Sequence, residues 1–510
     1  MAIDSMDVRT PGKGHMTPHS APPVKDAKAS LVTGALWSLG MRWSVKSIGL
    51  ISTAILARFL APQDYGVVAL AFLVVGLVEA FLNAGSNQAL VRIGNPNTEQ
   101  INSAWTLRAI QGIVMACVLA GLAPLAATYF TEPRVQNVLW IVSAGMAFMG
   151  FSNIGMALAY RDLQFGVEYR SAVFTKLASV LVTLATALYF GDYRALVCGI
   201  LAGYVIEFLL SYRLHPYRPR WCVTAIPEIW QISKWLLITG IGNFVLKRTD
   251  QIIAGRIANT RDYGLFTVGA DIGQLPTGEL GPTLSRPLFP ILASMQGDWE
   301  RAKSATLRTL ATVNTLTIPM GFGLAAVSQE ATLVLLGHQW LEAAPFVAGF
   351  AMIGVVQYLT GPLNTLMNVA GHVKVQSKIV WIEFMAFAAL SLLLTPRYSL
   401  QGLMAARLLS GLLHAALMIF ATRRHMALPV RQSIMSYARP LVGSLIMYGI
   451  LTSFTVTTMA GLELTIKFFV GSVFYACWIL GTWVLARKPD GIEPMILAAL
   501  GRVLARRRNA

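Results

Sequence analysis

Long apolar stretches, one after another, constrain this chain more than any other feature of its sequence. Between residues 31 and 486, fourteen such stretches alternate with short polar breaks. About 20 apolar residues in a helix cover about 30 Å of hydrocarbon, the thickness of a bilayer core. With 55% hydrophobic and only 13% charged residues, the chain lacks the polar surface of a water-soluble globule. The sequence therefore predicts an all-α, polytopic membrane protein with about 14 transmembrane helices.

A short pattern in this chain repeats at a distance of 198 positions. Arg58, Asp64, Tyr65 and Gly66 recur as Arg256, Asp262, Tyr263 and Gly264. Each set lies in a break between two apolar stretches, where Pro62 suits a helix stop and an Asp can cap the next helix. The shared context indicates a parallel duplication, although two similar hairpins without common ancestry would give the same pattern. Some transporters are built from such parallel repeats and bind substrate between the halves.

The apolar stretches group into two sets of six, followed by one further pair. The predicted organisation is a disordered cytoplasmic tail (1–30), an N-terminal six-helix lobe (31–212), a cytoplasmic linker (213–229), a C-terminal six-helix lobe (230–425), an extra helix pair (426–486) and a basic cytoplasmic tail (487–510). Residues 1–30 have no apolar core, so they form neither a signal peptide nor a span. The two lobes are predicted to be related by the parallel repeat.

Lysine and arginine accumulate in alternate connections between the stretches. With the N-terminus inside, the cytoplasmic segments hold 27 of the 41 basic residues, the outside connections 7 and the spans 7, when residues near helix ends are counted with the adjoining segment. Basic residues favour the cytoplasmic side of short loops. The tally predicts an even number of spans with both termini cytoplasmic. It also explains the net charge of +17 without a nucleic-acid partner, while the basic tail serves topology or contacts anionic lipid.

Seven cations lie inside the predicted spans, where each costs about 2.5 to 3.5 kcal/mol on insertion scales and normally faces a cavity or a partner. They are Arg42, Lys46, Lys176, Lys247, Arg248, Arg286 and Arg407. Arg42 and Lys46 share one helix face and repel each other unless an anion lies between them. A diphosphate would satisfy both, because Arg offers a planar fork of donors and Lys a point charge. Snorkelling, or pairing with an acid such as Glu79, is the alternative.

The seventh span, the repeat partner of the first, carries Lys247, Arg248 and Asp250. We predict Lys247 and Arg248 as further diphosphate ligands and Asp250 as a candidate for conformational coupling. Lys247 and Asp250 are three residues apart, so an intrahelical ion pair is the simpler interpretation. Other acids keep the bundle interior from being purely cationic: Glu207, Asp271, Glu279 and Glu383.

Proline interrupts the eighth and tenth spans. The positions are Pro276, Pro282, Pro287 and Pro290, and later Gly361-Pro362. In a transporter, such breaks favour bending and irregular backbone that lines a cavity.

Four segments share their order and placement with one known family. They are Arg58-Phe-Leu-Ala-Pro-Gln-Asp-Tyr-Gly66, Tyr160-Arg-Asp-Leu-Gln-Phe165, Asp250 through Gly264, and Leu336-Gly-His-Gln-Trp-Leu-Glu-Ala-Ala-Pro345. Together with the span plan, they make residues 31–425 resemble the polysaccharide transport branch, the Wzx-like O-antigen and exopolysaccharide flippases, of the multidrug, oligosaccharidyl-lipid and polysaccharide flippase superfamily. Relatives with twelve spans lack the last two found here.

The resemblance implies a transporter of the bacterial inner membrane that moves undecaprenyl-diphosphate-linked oligosaccharides by alternating access, for lipopolysaccharide or exopolysaccharide biosynthesis. It implies a lipid-linked oligosaccharide as substrate, contact with membrane lipids, and polysaccharide polymerase and chain-length machinery as partners. The family has no universal substrate motif, so no binding residue is carried over from it. Among the residues themselves, the candidates for sugar contact are Trp43, Asn83, Asn87 and Asn243, although such side chains also stabilise packing.

Two other functions fit parts of the sequence. A drug or cation antiporter of the same superfamily would need acids in the cavity of the first lobe, whereas the first span carries Arg42 and Lys46 and no acid. A membrane glycosyltransferase or polymerase would need a sizeable outside loop, and the longest outside connection is only about residues 328–343. We therefore predict a transporter and not an enzyme. The four cysteines are widely scattered, so we predict no metal and no other cofactor.

Overall fold

The computed structural model of the chain describes residues 24–82, 96–162, 164–285, 287–295, 297–456 and 459–485. Up to the predicted linker, its helices are α1 Val24–Leu56, α2 Pro62–Leu82, α3 Thr98–Phe130, α4 Arg134–Gly150, α5 Gly155–Arg161, α6 Phe165–Phe190 and α7 Tyr193–Leu214. Beyond the linker they are α8 Ile226–Ile257, α9 Thr260–Gly273, α10 Leu275–Ser285, α11 Leu288–Ala293, α12 Trp299–Ala326, α13 Ser328–Leu335, α14 Ala344–Tyr358, α15 Gly361–Val369, α16 Val373–Met426, α17 Val430–Ser453 and α18 Ala460–Leu485. A 3-10 helix, His338–Ala343, precedes α14.

The predicted all-α membrane fold is confirmed. Within the described ranges, eight helices are long and apolar enough to cross a membrane, or ten if each of two bent pairs counts as one span. The bent pairs are α4 with α5, at 62°, and α12 with α13, at 74°. The helices follow the predicted apolar stretches in order, and α16 takes two of them because its backbone breaks at Ser399 (φ 50°, ψ −131°). The number fourteen stays a prediction.

The first helix begins earlier than predicted. It starts at Val24, so residues 24–30 are helical where we predicted the end of a disordered tail. Alanine and lysine in this segment are good helix formers, and they extend the apolar helix that follows. Residues 1–23, the end of the second stretch with Asn83 and Asn87, and the basic tail after residue 485 lie outside the described residues.

Three of the proline positions coincide with helix breaks. Pro276 lies in the first turn of α10, Pro287 directly precedes α11, and Pro362 follows the break between α14 and α15. Proline suits the first turn of a helix because its missing N–H would have no partner there anyway. Pro282 and Pro290 lie inside α10 and α11 instead.

The two ends of the bundle differ in what connects the helices. Residues 57–66 and 255–264 meet at one end, named here the junction end. At the opposite, linker end, residues 215–225 lie along the start of α3. There the side chains of Asn102, Ser103 and Thr106 accept hydrogen bonds from the backbone N–H groups of Arg220, Ala225 and Cys222, at 3.0, 3.1 and 3.0 Å respectively. An apolar core that includes Leu70, Leu119, Phe266 and Phe350 crosses between the lobes.

The repeat-related helices α1 and α8 pack differently. Helix α8 lies against α2 and α3 of the first lobe. There the ring of Phe244 abuts Gly76, and Gly255 abuts Leu70 and Phe130. Helix α1 packs chiefly on α6 of its own lobe. Helix α8 therefore connects the two lobes, whereas α1 has its main contact within its own lobe. We call the space between Lys46 of α1 and Asp271 and Glu279 of the second lobe the interlobe cleft.

The appended pair of helices is fixed to the second lobe. Helix α17 packs against α12, and α18 packs against α17 and α13. The buried Lys467 ammonium lies 2.5 Å from Glu330 of α13 and 3.0 Å from Glu463 of its own helix. The Tyr475 hydroxyl donates to the Thr315 carbonyl at 2.8 Å.

Candidate functional site

The two copies of the repeated pattern touch each other. Helices α2 and α9 cross at their first turns, where a Cβ placed on Gly66 would lie 1.8 Å from the Thr260 carbonyl oxygen. A Cβ on Gly264 would lie 1.9 Å from the Pro62 carbonyl oxygen. Since Thr260 is the repeat equivalent of Pro62, the contact is two-fold symmetric. The repeated glycines thus allow two backbones to meet on the axis that relates the lobes.

The repeated arginines also reach across the lobes. Arg58 donates from Nη2 to the carbonyl oxygen of Val334 at 3.0 Å. The Arg256 guanidinium lies over the ring of Tyr129, 5.6 Å from its centroid. Trp340 Nε1 donates to the Ala57 carbonyl oxygen at 2.9 Å. The junction end is therefore held closed by contacts in both directions.

A carboxylate outside the spans joins the same closure. Glu132, between α3 and α4, accepts hydrogen bonds from Arg134 Nε at 2.8 Å and from the hydroxyl of Thr260 at 3.4 Å. The hydrogen bonds from Arg134 are the main cause that lowers the pKa of the Glu132 carboxyl below its usual range. Glu132 is therefore ionised when it contacts the second lobe at neutral pH.

The repeated Asp and Tyr residues have diverged in their contacts. Asp64 accepts the N–H groups of Ala61 and Tyr193, at 3.0 and 3.2 Å, as predicted for a residue that caps a helix start. At the second junction, the capping role falls to Asn259, whose side chain accepts the N–H of Asp262 at 2.8 Å. Tyr65 packs edge-on against Trp340, at 5.1 Å between centroids. Tyr263 is fully buried and stacks with Phe266.

Of the cation pair on α1, Lys46 reaches the interlobe cleft and has a partner there. Lys46 Nζ lies 2.9 Å from Glu279 Oε1 of α10. Lys46 therefore pairs with an acid, as the alternative interpretation had it, but the acid is Glu279 of the other lobe and not Glu79 of the next span. Arg42, one turn away, is exposed and has no ion-pair partner among the described residues.

A second cation reaches the cleft from the repeat partner of α1. Arg248 on α8 is exposed, and its Nη1 donates to Gln251 at 2.6 Å. The charges of Arg248 and Lys46 both act on Asp271 of α9, which is solvent-accessible. Two of the predicted diphosphate ligands, Lys46 and Arg248, thus lie within electrostatic range of one carboxylate. Their direct contacts are with Glu279 and Gln251 respectively. The side chains of Lys247 and of the sugar candidate Asn243 lie outside the described residues.

Asp250, the coupling candidate, lies among cations of the second lobe. Arg407 of α16 and Arg248 both lie within electrostatic range of its carboxylate. Its Oδ1 accepts the N–H of Gln251 at 2.9 Å. The predicted ion pair with Lys247 cannot be placed, since it involves a side chain outside the described set. The sequence spacing did not indicate Arg407 as a neighbouring charge, because it comes from a helix about 150 residues further along the chain.

The first lobe forms a cavity of about 920 Å³ towards the linker end. Its charged lining is Arg108, Glu168, Lys176 and Glu207. A smaller cavity of about 280 Å³ shares Phe72, Lys176, Ser179 and Ile200 with it and extends to Asp271 of the second lobe. Sequence analysis missed Arg108, which we counted with the adjoining loop. Glu207 could have indicated it, because an acid inside a predicted span is expected to have a cation nearby. Across the described ranges, no cluster of three or more His, Cys, Asp or Glu side chains could hold a metal ion.

Two lobes of apolar helices around a charged cleft define the class of this protein as a polytopic membrane transporter fold. The same fold is found in the solved structure of the lipid II flippase MurJ in an inward closed conformation, with a TM-score of 0.71 at 14% identity over 88% of this chain and 99% of that one. The family described as "Polysaccharide biosynthesis protein" matches residues 55–345, more than half of the chain. The chain belongs to this family.

Two curated relatives cover much of the same region. The succinoglycan biosynthesis transport protein ExoT of Rhizobium meliloti is 25% identical over 320 residues, which is 62% of this chain and 64% of the relative. The lipopolysaccharide biosynthesis protein WzxC of Escherichia coli is 20% identical over 354 residues, 68% of this chain and 71% of the relative. The match to the first relative thus spans less than two thirds of that protein's length.

Proposed function

We propose that this protein moves oligosaccharides linked to undecaprenyl diphosphate across the bacterial inner membrane, for lipopolysaccharide or exopolysaccharide biosynthesis. The observation that carries the proposal is the convergence of cations from both halves of the repeat. Lys46 and Arg248 both lie within electrostatic range of the Asp271 carboxylate in the interlobe cleft. Arg42 adds a cation that has no ion-pair partner in the described part of the chain. A diphosphate is a compact anion that accepts several charge-assisted hydrogen bonds, so it suits this set.

The packing of α1 also favours a substrate with a lipid tail. Because α1 contacts few helices besides α6, the cleft is bounded on that side by one helix and by the ion pair of Lys46 with Glu279. Separation of α1 from α10 would open the cleft sideways to the bilayer. A prenyl chain would then remain in the hydrocarbon while the diphosphate and sugars enter the cleft, since neither polar part is stable in lipid.

The names of the relatives agree with this substrate class, since one is a transport protein of succinoglycan biosynthesis and the other a protein of lipopolysaccharide biosynthesis. The excess of basic residues at the linker end supports a cytoplasmic linker and both termini in the cytoplasm. In that orientation the junction end faces the periplasm. Alternating access would require its contacts to break while the linker end closes. The polymerase and chain-length machinery that use the product are proposed partners.

The diphosphate assignment is tested at Arg42 by polymer export from cells that lack the chromosomal copy of the gene. Arg42→Ala removes a charge-assisted contact, which is worth about 1.5 to 3 kcal/mol, so we expect export to fall about tenfold or more. Arg42→Lys should recover part of the activity, because it keeps the charge and loses the bidentate geometry.

A matched control is Arg194→Ala, which removes an exposed arginine paired with its neighbour Asp192 at 3.6 Å. This variant should export normally. Protein abundance in the membrane must be equal for all variants. Normal export by the double variant Arg42→Ala/Lys46→Ala would exclude a diphosphate at this pair.

A further inference from the structure

The segment after α12 belongs to the second lobe but contacts the first. We call residues 328–343, which form α13 and the 3-10 helix, the junction strap. The strap does not continue α12, because α12 and α13 meet at 74°. Gln339 Nε2 of the strap donates to the carbonyl oxygens of Ala57 and Leu60. Trp340 Nε1 also donates to the carbonyl oxygen of Ala57, at 2.9 Å. Because these acceptors follow the last turn of α1, where a helix lacks its own donors, the strap caps the end of α1.

The strap also covers the junction with apolar and charged contacts. Leu336, the residue after α13, is buried in one cluster with Ala57 of the first lobe and Leu265 of α9. Arg58 donates to the carbonyl oxygen of Val334, which lies in the last turn of α13. The strap therefore helps to close the junction end, and the lobes cannot separate there until its contacts with the end of α1 break.

The appended helices hold the strap where it begins. Val327, at the bend between α12 and α13, is buried in an apolar cluster with Met447 and Leu451 of α17. Three residues further on, Glu330 of the strap lies 2.5 Å from Lys467 Nζ of α18. The strap is thus fixed at its start to a helix pair that lies outside the repeat, and further along to the end of α1.

The ion pair of Glu330 with Lys467 is the more buried of two that the strap makes. The other joins Glu342 to Arg261 at 2.7 Å, with side chains that are 61% and 46% exposed. The side chains of Glu330 and Lys467 are only 15% and 5% exposed. An exposed pair is worth little, whereas removal of one partner from a buried pair is costly. The position of the strap therefore depends more on Glu330 than on Glu342.

Lys467 has two carboxylate partners, and they differ in what they join. Glu463, one turn earlier on α18, lies 3.0 Å from the lysine Nζ, so this contact stays within one helix. Glu330 instead joins α18 to the strap. Because one lysine serves both carboxylates, either carboxylate can be neutralised without leaving the buried ammonium unpaired. The contact within the helix and the contact with the strap can therefore be tested separately.

We propose that Lys467 is a positioning residue, which holds the junction strap against the end of α1 through Glu330. The appended helix pair thereby stabilises the closed junction end. This assigns a role to two helices that the repeat does not account for. It goes beyond the proposed function, because it holds for any substrate that crosses between the lobes. Weakening the contact of Lys467 with Glu330 raises the fraction of molecules whose junction end is open.

The test measures how fast a thiol reagent reaches a cysteine under the strap. The purified full-length protein lacks its four native cysteines and carries Leu336→Cys as the reporter. Leu336 is 1% exposed, so the reagent reacts only when the strap opens, and the rate follows the open population. Glu330→Gln keeps the size of the side chain and replaces a charge-assisted hydrogen bond by a neutral one. We expect the reaction to become about fivefold faster.

The matched control is Glu463→Gln, which neutralises the other carboxylate of the same lysine and leaves the link to the strap in place. It should not raise the rate. A second reporter, Leu158→Cys, is buried at the linker end, and Glu330→Gln should leave its rate unchanged. An unaltered rate at Leu336→Cys in Glu330→Gln, an equal rise in both Gln variants, or an equal rise at both reporters overturns the proposal. No substrate is present, so none of these outcomes bears on the proposed function.

Discussion

At the scale of single residues, Lys46 shows which features of the site could be predicted from the sequence and which could not. The i, i+4 spacing correctly placed Arg42 and Lys46 on one face of α1, because helix geometry is local. The partner of Lys46 could not be predicted, since Glu279 comes from the other lobe and the pairing depends on tertiary packing. The pair is partly exposed, 45% for the lysine side chain and 18% for the glutamate. A pair of this kind is worth only about 0.2 to 1 kcal/mol, so a diphosphate competes with Glu279 for Lys46.

This competition gives a prediction for Glu279→Gln. Removal of the carboxylate frees Lys46, and the protein should bind undecaprenyl diphosphate about two- to fivefold more tightly, as expected for the loss of an exposed ion pair. Lys46→Met should weaken binding, and the double variant Lys46→Met/Glu279→Gln should bind as weakly as Lys46→Met alone. Affinity is measured by titration of the purified protein.

The chain offers a matched control in Glu300→Gln, which breaks a Lys–Glu pair of 2.8 Å with Lys303 at the linker end. That change should leave the affinity for undecaprenyl diphosphate unaltered. Weaker binding by Glu279→Gln would mean that Glu279 supports the anion site and does not compete with the ligand.

At the scale of elements, the crossing of α2 and α9 also has one feature that the sequence predicted and one that it did not. The repeat of Asp-Tyr-Gly correctly identified two equivalent helix starts, and Asp64 caps the first of them as predicted. The pattern did not predict that the two glycines contact each other. A duplication identifies equivalent positions in the two halves, but it does not say which positions are in contact. The same holds for α1 and α8, which are equivalent in sequence position but pack on different neighbours.

Gly66→Ala tests the crossing. An added methyl group would lie 1.8 Å from the Thr260 carbonyl oxygen, so α2 and α9 must separate, at a cost of about 1 to 3 kcal/mol for overpacking. We expect a lower thermal unfolding midpoint for the purified protein. Gly121→Ala is the control, since a Cβ there meets nothing within 4 Å and alanine is the better helix former. Equal midpoints for the two variants would show that the crossing is not tightly packed.

At the scale of the whole molecule, orientation in the membrane is a matter of charge and not of packing. The helix order, the two lobes and the closed junction end are the same whichever side faces the cytoplasm. The tally of 27 basic residues against 7 is therefore what predicts the orientation, because basic residues in short loops are retained inside. The structure shows at which positions the orientation can be tested, since Gln63 and Arg261 are exposed at the junction end and Arg218 is exposed at the linker end.

Single cysteines at these positions should therefore report the orientation. In a background without Cys117, Cys198, Cys222 and Cys477, Gln63→Cys and Arg261→Cys should react with a membrane-impermeant thiol reagent in intact cells, and Arg218→Cys should react only after the membrane is opened. A variant that keeps Cys222 alone is an inside control, because hydrogen bonds from Ser103 and Thr224 lower the pKa of its thiol and so favour the reactive thiolate. Labelling of Arg218→Cys in intact cells would show that the orientation is the opposite of the predicted one, with the closed junction end facing the cytoplasm.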